Sequence, residues 1–169
     1  MLKPQDIVIL LQVHCLGTTW TYSELAKSLK MSASTVHEAL QRCELSHLYN
    51  QNKRRILKGA LEEFLVHGLK YAFPAEAGAI TRGIPTAHSA EPLKKLLMIE
   101  EKNPYVWASA KGKIKGQRIT PLYKSVPEVV ENEENYRLYE LLCLVDSLRI
   151  GKIREQELAS MELSKRLYV

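Results

Sequence analysis

The polar side chains between residues 32 and 42 are of types that can hydrogen-bond to nucleic-acid bases. In the stretch SASTVHEALQR, helical spacing places Val36, Ala39 and Leu40 on one apolar face. The outward face then carries Ser34, Thr35, His37, Glu38 and Gln41. Small polar groups at a helix N-terminus can reach base edges while the free N–H groups approach a phosphate. The alternative is helix capping, which accounts comfortably for Ser32 alone.

A run of cations follows the same predicted helix. Lys53, Arg54 and Arg55 are consecutive, and Lys58 comes three residues later. Each contact between such a side chain and a phosphate adds about one unit to the salt dependence of binding. A solvated surface is the alternative for any charge run, and here the two interpretations are evenly balanced.

Two short helices must position these side chains. The first opens with Thr21 and Glu24 in the Thr-x-x-Glu spacing of a capping box. Ala26 allows a close approach of the two helices, and Ser32 is placed to cap the second. Lys30 stands in the turn, where a left-handed residue other than glycine costs roughly 1 kcal/mol.

The segment TYSELAKSLKMSASTVHEALQR resembles the helix-turn-helix of winged-helix bacterial transcription regulators, the broad MarR-like group. The resemblance covers about residues 4–70. It implies that residues 21–30 form the supporting helix and residues 32–44 the recognition helix, whose outward side chains face the major groove. It also implies that Arg42 contacts a phosphate. The chain departs from the family in having Lys30 in the turn, and LYNQNKRRI is long enough only for a stub of a wing.

A second group of polar residues has the types used in catalysis. The stretch RGIPTAHSAEP contains His88, Ser89 and Glu91. Catalytic triads converge from different elements and rarely come from neighbouring residues, and no oxyanion-hole motif accompanies these. We therefore expect no enzyme and no catalytic residue. A loop that docks a protein partner through residues 74–92 is the better functional interpretation, and a plain connector is the alternative.

The cysteines and histidines do not have the spacing of metal ligands. Cys15, Cys43 and Cys143 are far apart and odd in number, and the histidines form no HxxH or HxxxH pair. We expect the cysteines to be small core side chains. The sequence predicts neither a metal nor a cofactor.

A further set of cations lies in the stretch PYVWASAKGKIKGQRITPLYKSVP. This set comprises Lys111, Lys113, Lys115 and Arg118, and it accompanies Tyr105 and Trp107. Basic residues interleaved with aromatic ones can bind nucleic acid. The interpretation we favour is that the aromatic rings pack into the core while the lysines solubilise a strand edge.

The composition of the chain indicates the class of protein to which it belongs. The chain has 169 residues, of which 46% are hydrophobic and 25% charged, as in an ordinary globular protein. It has no apolar run of the roughly 18 residues that a membrane span needs, and no signal-peptide pattern. We expect a cytoplasmic protein. The net charge of +5 indicates a polyanionic partner only if the cations cluster.

These elements predict a mainly α chain with a small β component. Residues 1–72 form the winged helix-turn-helix, and residues 73–127 a Pro/Gly-rich module with a β-hairpin turning near residues 110–112. Residues 128–169 form a C-terminal helical pair, its first helix running on from Pro127. No internal repeat interrupts this order.

The predicted function is sequence-specific binding of double-stranded DNA, with transcriptional regulation by a homodimer. The alternative is a protein–protein adaptor, or an antitoxin-like accessory protein, that uses the winged helix as a scaffold. We expect an apolar stripe to form the dimer seam. The alternative is that this stripe closes the chain's own core. The stripe consists of Leu138, Leu141, Leu142, Val145 and Leu148, followed by Leu158, Met161 and Leu167.

Overall fold

The computed structural model describes residues 1–98 and 103–169 and is mainly helical with a small β component, as predicted. The elements of the N-terminal part are α1 (Pro4–Leu16), α2 (Tyr22–Ser28), α3 (Ala33–Leu45), β1 (Tyr49–Asn50), β2 (Arg55–Ile56), α4 (Lys58–His67) and α5 (Leu69–Ala72). The remaining elements are β3 (Ile80–Thr86), α6 (Leu93–Leu97), β4 (Tyr105–Ala108), β5 (Ile114–Arg118), α7 (Val126–Val129), α8 (Tyr136–Ile150) and α9 (Ile153–Leu167). Two short 3₁₀ turns, Ala87–Ser89 and Glu133–Asn135, complete the described elements.

The N-terminal helices begin and end at the predicted signals. Pro4 occupies the first turn of α1, and Gly17 ends that helix with φ of 82°. At the start of α2 the Thr21 N–H donates to Glu24 Oε2 at 2.9 Å, and the Glu24 N–H donates to Thr21 Oγ1 at 3.1 Å. Lys30 adopts the expected left-handed conformation, with φ of 53°. Local side-chain chemistry therefore sets the helix boundaries here.

α1 is the central helix of the molecule. Its residues from Asp6 to Val13 are all buried, and it packs against α2, α3, β2 and α8. Inside this core, Gln12 Nε2 donates to Asn135 Oδ1 at 3.0 Å and to Ser28 Oγ at 3.1 Å. A helix that is apolar on nearly every side is buried on every side.

The wing is a stub, as its length predicts. β1 and β2 have two residues each and pair antiparallel, with Tyr49 opposite Ile56 and Asn50 opposite Arg55. Such a short ladder cannot reach far beyond the body of the molecule. It holds the chain that follows α3 close to the start of α2.

The predicted hairpin of the middle module is wrong. β4 and β5 run parallel to each other, and both pair antiparallel with β3, which closes a three-stranded barrel. β3 itself lies in a segment for which no regular element was predicted. Gly83, at the middle of β3, pairs with both Ala108 and Ile114.

Close backbone contact explains this barrel. A Cβ placed on Gly112 would lie 2.2 Å from the backbone of Gly83, so only glycine lets the β4–β5 connection cross over β3. The sequence pattern places Gly112 in the turn of a hairpin. In the barrel, Gly83 and Gly112 are the residues that allow it to close.

The long helix predicted after Pro127 is interrupted. The chain forms α7, a 3₁₀ turn and then α8. Asn132 Oδ1 accepts from the Glu134 N–H at 3.0 Å, and Asn135 Nδ2 donates to the Val129 carbonyl at 3.0 Å. These side-chain bonds to the backbone compete with a continuous helix.

The apolar stripe of α8 lies inside the chain's own core. Leu138, Leu141, Leu142, Val145 and Leu148 are each at most 3% exposed. Leu167 is also buried, whereas Met161 is exposed. The α8 part of the predicted dimer seam is therefore wrong, because the side chains of α8 are already covered by α1, α9 and the barrel. The dimer itself stays a prediction.

A buried carboxylate joins the barrel to α8. Asp146 Oδ2 accepts hydrogen bonds from Thr86 Oγ1 at 2.7 Å and Trp107 Nε1 at 2.8 Å. Arg149 Nη1 donates to Asp146 Oδ1 at 2.9 Å, and Arg149 Nε donates to the Phe73 carbonyl at 2.9 Å. Burial raises the pKa of Asp146, and the opposing effect of Arg149 and the hydrogen bonds favours its charged form.

Side chains from all three predicted segments share one hydrophobic cluster. It includes Leu25 and Leu40 of the N-terminal segment, Leu93 and Trp107 of the middle one, and Leu142 of the C-terminal pair. No helix among the described residues has both the length and the apolar character that crossing a bilayer requires.

Candidate nucleic-acid interface

α3 has one buried face and one open face. Val36, Ala39, Leu40 and Cys43 are buried against α1, α2 and β1. On the opposite side four of the predicted base-contacting side chains are exposed: Ser34, His37, Glu38 and Gln41. This face can therefore be reached by a large partner.

The N-terminus of α3 is capped by a cluster of hydroxyl groups. The Thr35 N–H donates to Ser32 Oγ at 3.1 Å. The Ser32 hydroxyl also lies 2.7 Å from Thr35 Oγ1 and 3.1 Å from Ser34 Oγ. The capping role, expected for Ser32 alone, thus extends to Thr35, which is half-buried. Ser34 remains exposed at the tip of the helix.

An aromatic cluster joins α3 to α2 and the wing. The rings of Tyr22 and His37 stack with centroids 3.7 Å apart, and Trp20 meets Tyr22 edge-on at 5.4 Å. Gln51 Nε2, at the wing tip, donates to Tyr22 Oη at 2.7 Å. The guanidinium of Arg54 lies 4.3 Å from the centroid of the Trp20 ring. These contacts hold the wing against Trp20 and Tyr22, and the stacked rings hold Tyr22 against His37 of α3.

Arg42 is engaged inside the protein and not at the interface. Its Nε and Nη2 donate to Asp6 Oδ2 and Oδ1 at 2.9 and 2.8 Å, in a two-pronged ion pair. The Asp6 side chain is fully buried, and that of Arg42 is 17% exposed. The hydrogen bond to Asp6 raises the pKa of Arg42. The prediction that Arg42 contacts a phosphate is therefore wrong, because releasing Arg42 would leave the buried carboxylate of Asp6 without its charged partner.

The three cations of the wing have different surroundings. Lys53 and Arg55 are exposed, and within the described residues neither side chain forms an ion pair. Arg54 is half-buried, has a left-handed backbone with φ of 50°, and donates from Nη2 to the Trp20 carbonyl. Burial raises the pKa of nearby Tyr49 to about 12, so that phenol stays neutral beside Arg54. Arg54 thus has a structural role, and Lys53 and Arg55 are available for phosphates.

Neutralising Arg55 and Arg54 is expected to have different effects. If the wing contacts DNA, Arg55→Gln should weaken binding to every duplex and reduce the salt slope by about one unit, with stability unchanged. Arg54→Gln should instead lower the free energy of unfolding by about 1 kcal/mol, because the contact with Trp20 is lost. Salt titrations and denaturant melts of both variants measure the two effects. An unchanged salt slope for Arg55→Gln would place that side chain outside the interface.

Sequence patterns did not indicate the aromatic cluster. Gln51, which contacts Tyr22, lies 29 positions further along the chain, and Arg54, which contacts Trp20, lies 34 positions further along. The sequence feature that could have indicated this cluster is the pair of aromatic residues, Trp20 and Tyr22, on either side of the capping residue Thr21. Neither ring has a local signal that predicts its partner.

The residues with catalytic side-chain types support the barrel. The Tyr105 N–H donates to Ser89 Oγ at 2.8 Å, and His88 Nε2 lies 3.8 Å from Glu155 Oε1. Residues 80–86 of the expected docking loop form β3, whose first half pairs with β5 and whose second half pairs with β4. In residues 1–98 and 103–169 no group of three His, Cys, Asp or Glu side chains could hold a metal ion. The described part of this segment therefore has contacts that stabilise the fold.

The chain was compared with family models, with curated proteins and with solved structures, and no match was found.

Proposed function

We propose that the protein binds double-stranded DNA through α3 and the wing, and that it acts as a sequence-specific transcriptional regulator. The observation that carries this proposal is the open face of α3. Ser34, His37, Glu38 and Gln41 are exposed along one side of a well-capped helix whose other side is buried. A helix presented in this way fits the major groove, and these side chains can hydrogen-bond to base edges.

The charges on and beside α3 determine which residues would contact phosphates and which would contact bases in such a complex. The helix carries Glu38 and Glu44, and the charge of Arg42 is neutralised by Asp6. Phosphate contacts would then come from the flanking cations Lys53 and Arg55. Glu38 would accept a hydrogen bond from a cytosine amino group, the base contact for which carboxylates are suited.

The same carboxylates favour a second candidate function. A face that bears Glu38 and Glu44 repels the phosphate backbone unless the flanking cations outweigh it. A basic or polar protein surface would fit it without that cost. The second candidate is therefore an adaptor that uses α3 to bind another protein.

Selection from a random-sequence duplex library distinguishes the two functions. The full chain is incubated with the library at low and at moderate salt, and bound duplexes are amplified and sequenced over several rounds. A DNA-reading α3 is expected to enrich one short motif, and affinity for that motif should fall steeply with salt. A library that stays random, with no salt-dependent retention, would contradict DNA binding and favour the adaptor.

The proposal includes pairing of two copies, because one helix-turn-helix buries little surface for tight specific binding. A surface available for pairing is the groove between α4 and α9, about 530 Å³ in volume and lined by Val66, Ile153 and Met161. Ile153 is 78% and Met161 58% exposed. Pairing there would have to set the two α3 helices about one DNA turn, roughly 34 Å, apart.

Sedimentation measures this pairing. We expect a dimer at micromolar concentration, and a folded monomer after Met161→Glu. The control variant Ile80→Glu introduces the same charge at a similarly exposed apolar residue of β3 and should remain a dimer. A wild-type protein that sediments as a monomer would rule out the pairing.

A further inference from the structure

The positive charge of this protein is concentrated in the barrel. Residues 77–90 and 103–127 contain no Asp or Glu. They contain one Lys or Arg in the first stretch and five in the second: Arg82, Lys111, Lys113, Lys115, Arg118 and Lys124. The whole chain has a net charge of +5, so everything outside these stretches sums to 5 − 6, or −1.

The barrel places two of these cations directly opposite each other. Arg82 of β3 and Lys115 of β5 are cross-strand partners in the antiparallel register. Like charges in such a pair destabilise a sheet, and the strands would fold better with a neutral residue in either position. Arg82 Nη1 donates to the Gly112 carbonyl at 3.3 Å, which holds its charge over the β4–β5 connection.

Acidic partners for these side chains are scarce. Within the described residues Arg82, Lys113, Lys115 and Arg118 form no ion pair. Lys111 lies 3.6 Å from Glu131, and its side chain is still 79% exposed. An anion bound from solution would relieve the repulsion between these charges.

One of the barrel cations, Lys111, contacts the same short segment as the turn of the helix-turn-helix. Lys30 Nζ, in the turn before α3, is 2.8 Å from Glu128 Oε1, while Lys111 pairs with Glu131 three residues further along. Ser125 Oγ also donates to the Leu29 carbonyl at 2.8 Å. The turn between α2 and α3 and the β4–β5 connection are therefore held by the same short segment around α7.

The aromatic rings of the barrel exclude a base-stacking surface of the kind that binds single strands. Trp107 is buried and its Nε1–H donates to Asp146, so it offers no face to a base. Tyr105 is half-buried and its ring meets His88 edge-on at 4.9 Å. The exposed side chains are charged and not aromatic, which suits the phosphates of a duplex better than the unstacked bases of a single strand.

We propose that the basic face of the barrel, formed by Arg82, Lys111, Lys113 and Lys115, is a second phosphate-binding surface for the DNA duplex bound at α3. This inference rests on the proposed function. The basic face would also supply the positive charge that α3 lacks. The duplex would extend past the recognition helix and contact the barrel through its backbone, independently of sequence.

The test is a double variant, Lys113→Gln with Lys115→Gln, in the full chain. Affinity for a duplex of about 30 base pairs, close to three helical turns, is measured across a range of salt. We expect weaker binding to every sequence and a salt slope lower by about two units, near 0.9 for each cation removed. The control is Lys94→Gln with Lys95→Gln, which removes two exposed cations of α6 and should leave the slope unchanged. Thermal melts establish that both variants fold.

The outcomes separate this inference from the proposed function. A barrel variant with the wild-type slope, in a protein that still prefers one sequence, overturns the inference alone. Binding that lacks any sequence preference and is lost in the barrel variant supports the basic face and contradicts base contacts by α3. A wild-type protein that binds no duplex overturns both.

Discussion

Replacing Asp146 by alanine is expected to lower the free energy of unfolding by about 3–5 kcal/mol. The substitution leaves Arg149 charged in a site where its side chain is only 5% exposed. It also removes the acceptor for Thr86 Oγ1 and Trp107 Nε1. Two buried donors would lose their acceptor at once, and Arg149 would keep only backbone carbonyl acceptors. Each buried unpaired group carries a desolvation cost.

Denaturant unfolding followed by circular dichroism measures this loss. Asp146→Asn is the informative companion, because its amide oxygen can still accept a hydrogen bond while the charge opposite Arg149 is lost. It should destabilise the fold by less than the alanine variant. Lys165→Ala, which removes the exposed lysine that pairs with Glu162, is the control and should change stability by less than about 1 kcal/mol. A similarly small effect of Asp146→Ala would show that the barrel does not depend on this carboxylate.

If α3 contacts bases as proposed, truncating its exposed polar side chains should reduce discrimination between preferred and random DNA without unfolding the protein. A good contact to a base is worth about 1–3 kcal/mol, so the double variant Ser34→Ala with Gln41→Ala should lose about 2–6 kcal/mol of discrimination. Both side chains are exposed, so we expect the free energy of unfolding to stay nearly constant. Competition binding between the selected motif and random duplex measures the effect.

His37 needs its own control because its ring stacks on Tyr22. His37→Ala removes both the stack and the ring nitrogens, whereas His37→Phe keeps an aromatic ring and removes only the nitrogens. If His37 reads a base, both variants should lose discrimination. If only His37→Ala has an effect, the ring serves to hold α3 against Tyr22 of α2. An equal loss on specific and random DNA would contradict base readout by any of these residues.

Local signals in the sequence determined the helices of the N-terminal part. The capping pair of Thr21 and Glu24, the cap at Ser32 and the glycine at position 17 act within a few residues of themselves. Their geometry is accordingly predictable without knowledge of the rest of the chain. The open polar face of α3 follows from helical periodicity in the same way.

Tertiary contacts decided which of the candidate site residues are available. Arg42 and Asp6 are 36 positions apart, and Arg54 and Trp20 are 34 apart, so no local pattern indicates that either arginine is engaged. The sequence around a cationic residue does not show which side chain that residue will contact in the folded protein. Its availability to a phosphate depends on whether folding brings a carboxylate or an aromatic ring beside it.

The barrel and the C-terminal helices show the same division between sequence and tertiary structure. Periodicity predicts an apolar stripe with Leu138, Leu142 and Val145 on one face of α8, whereas the structure buries every residue from Leu141 to Leu148 in the chain's own core. Alternation and glycines indicate β structure near residues 105–118, yet β4 and β5 are parallel because each pairs with β3. Periodicity is a property of neighbouring residues, whereas strand order and burial depend on contacts between segments far apart in the chain.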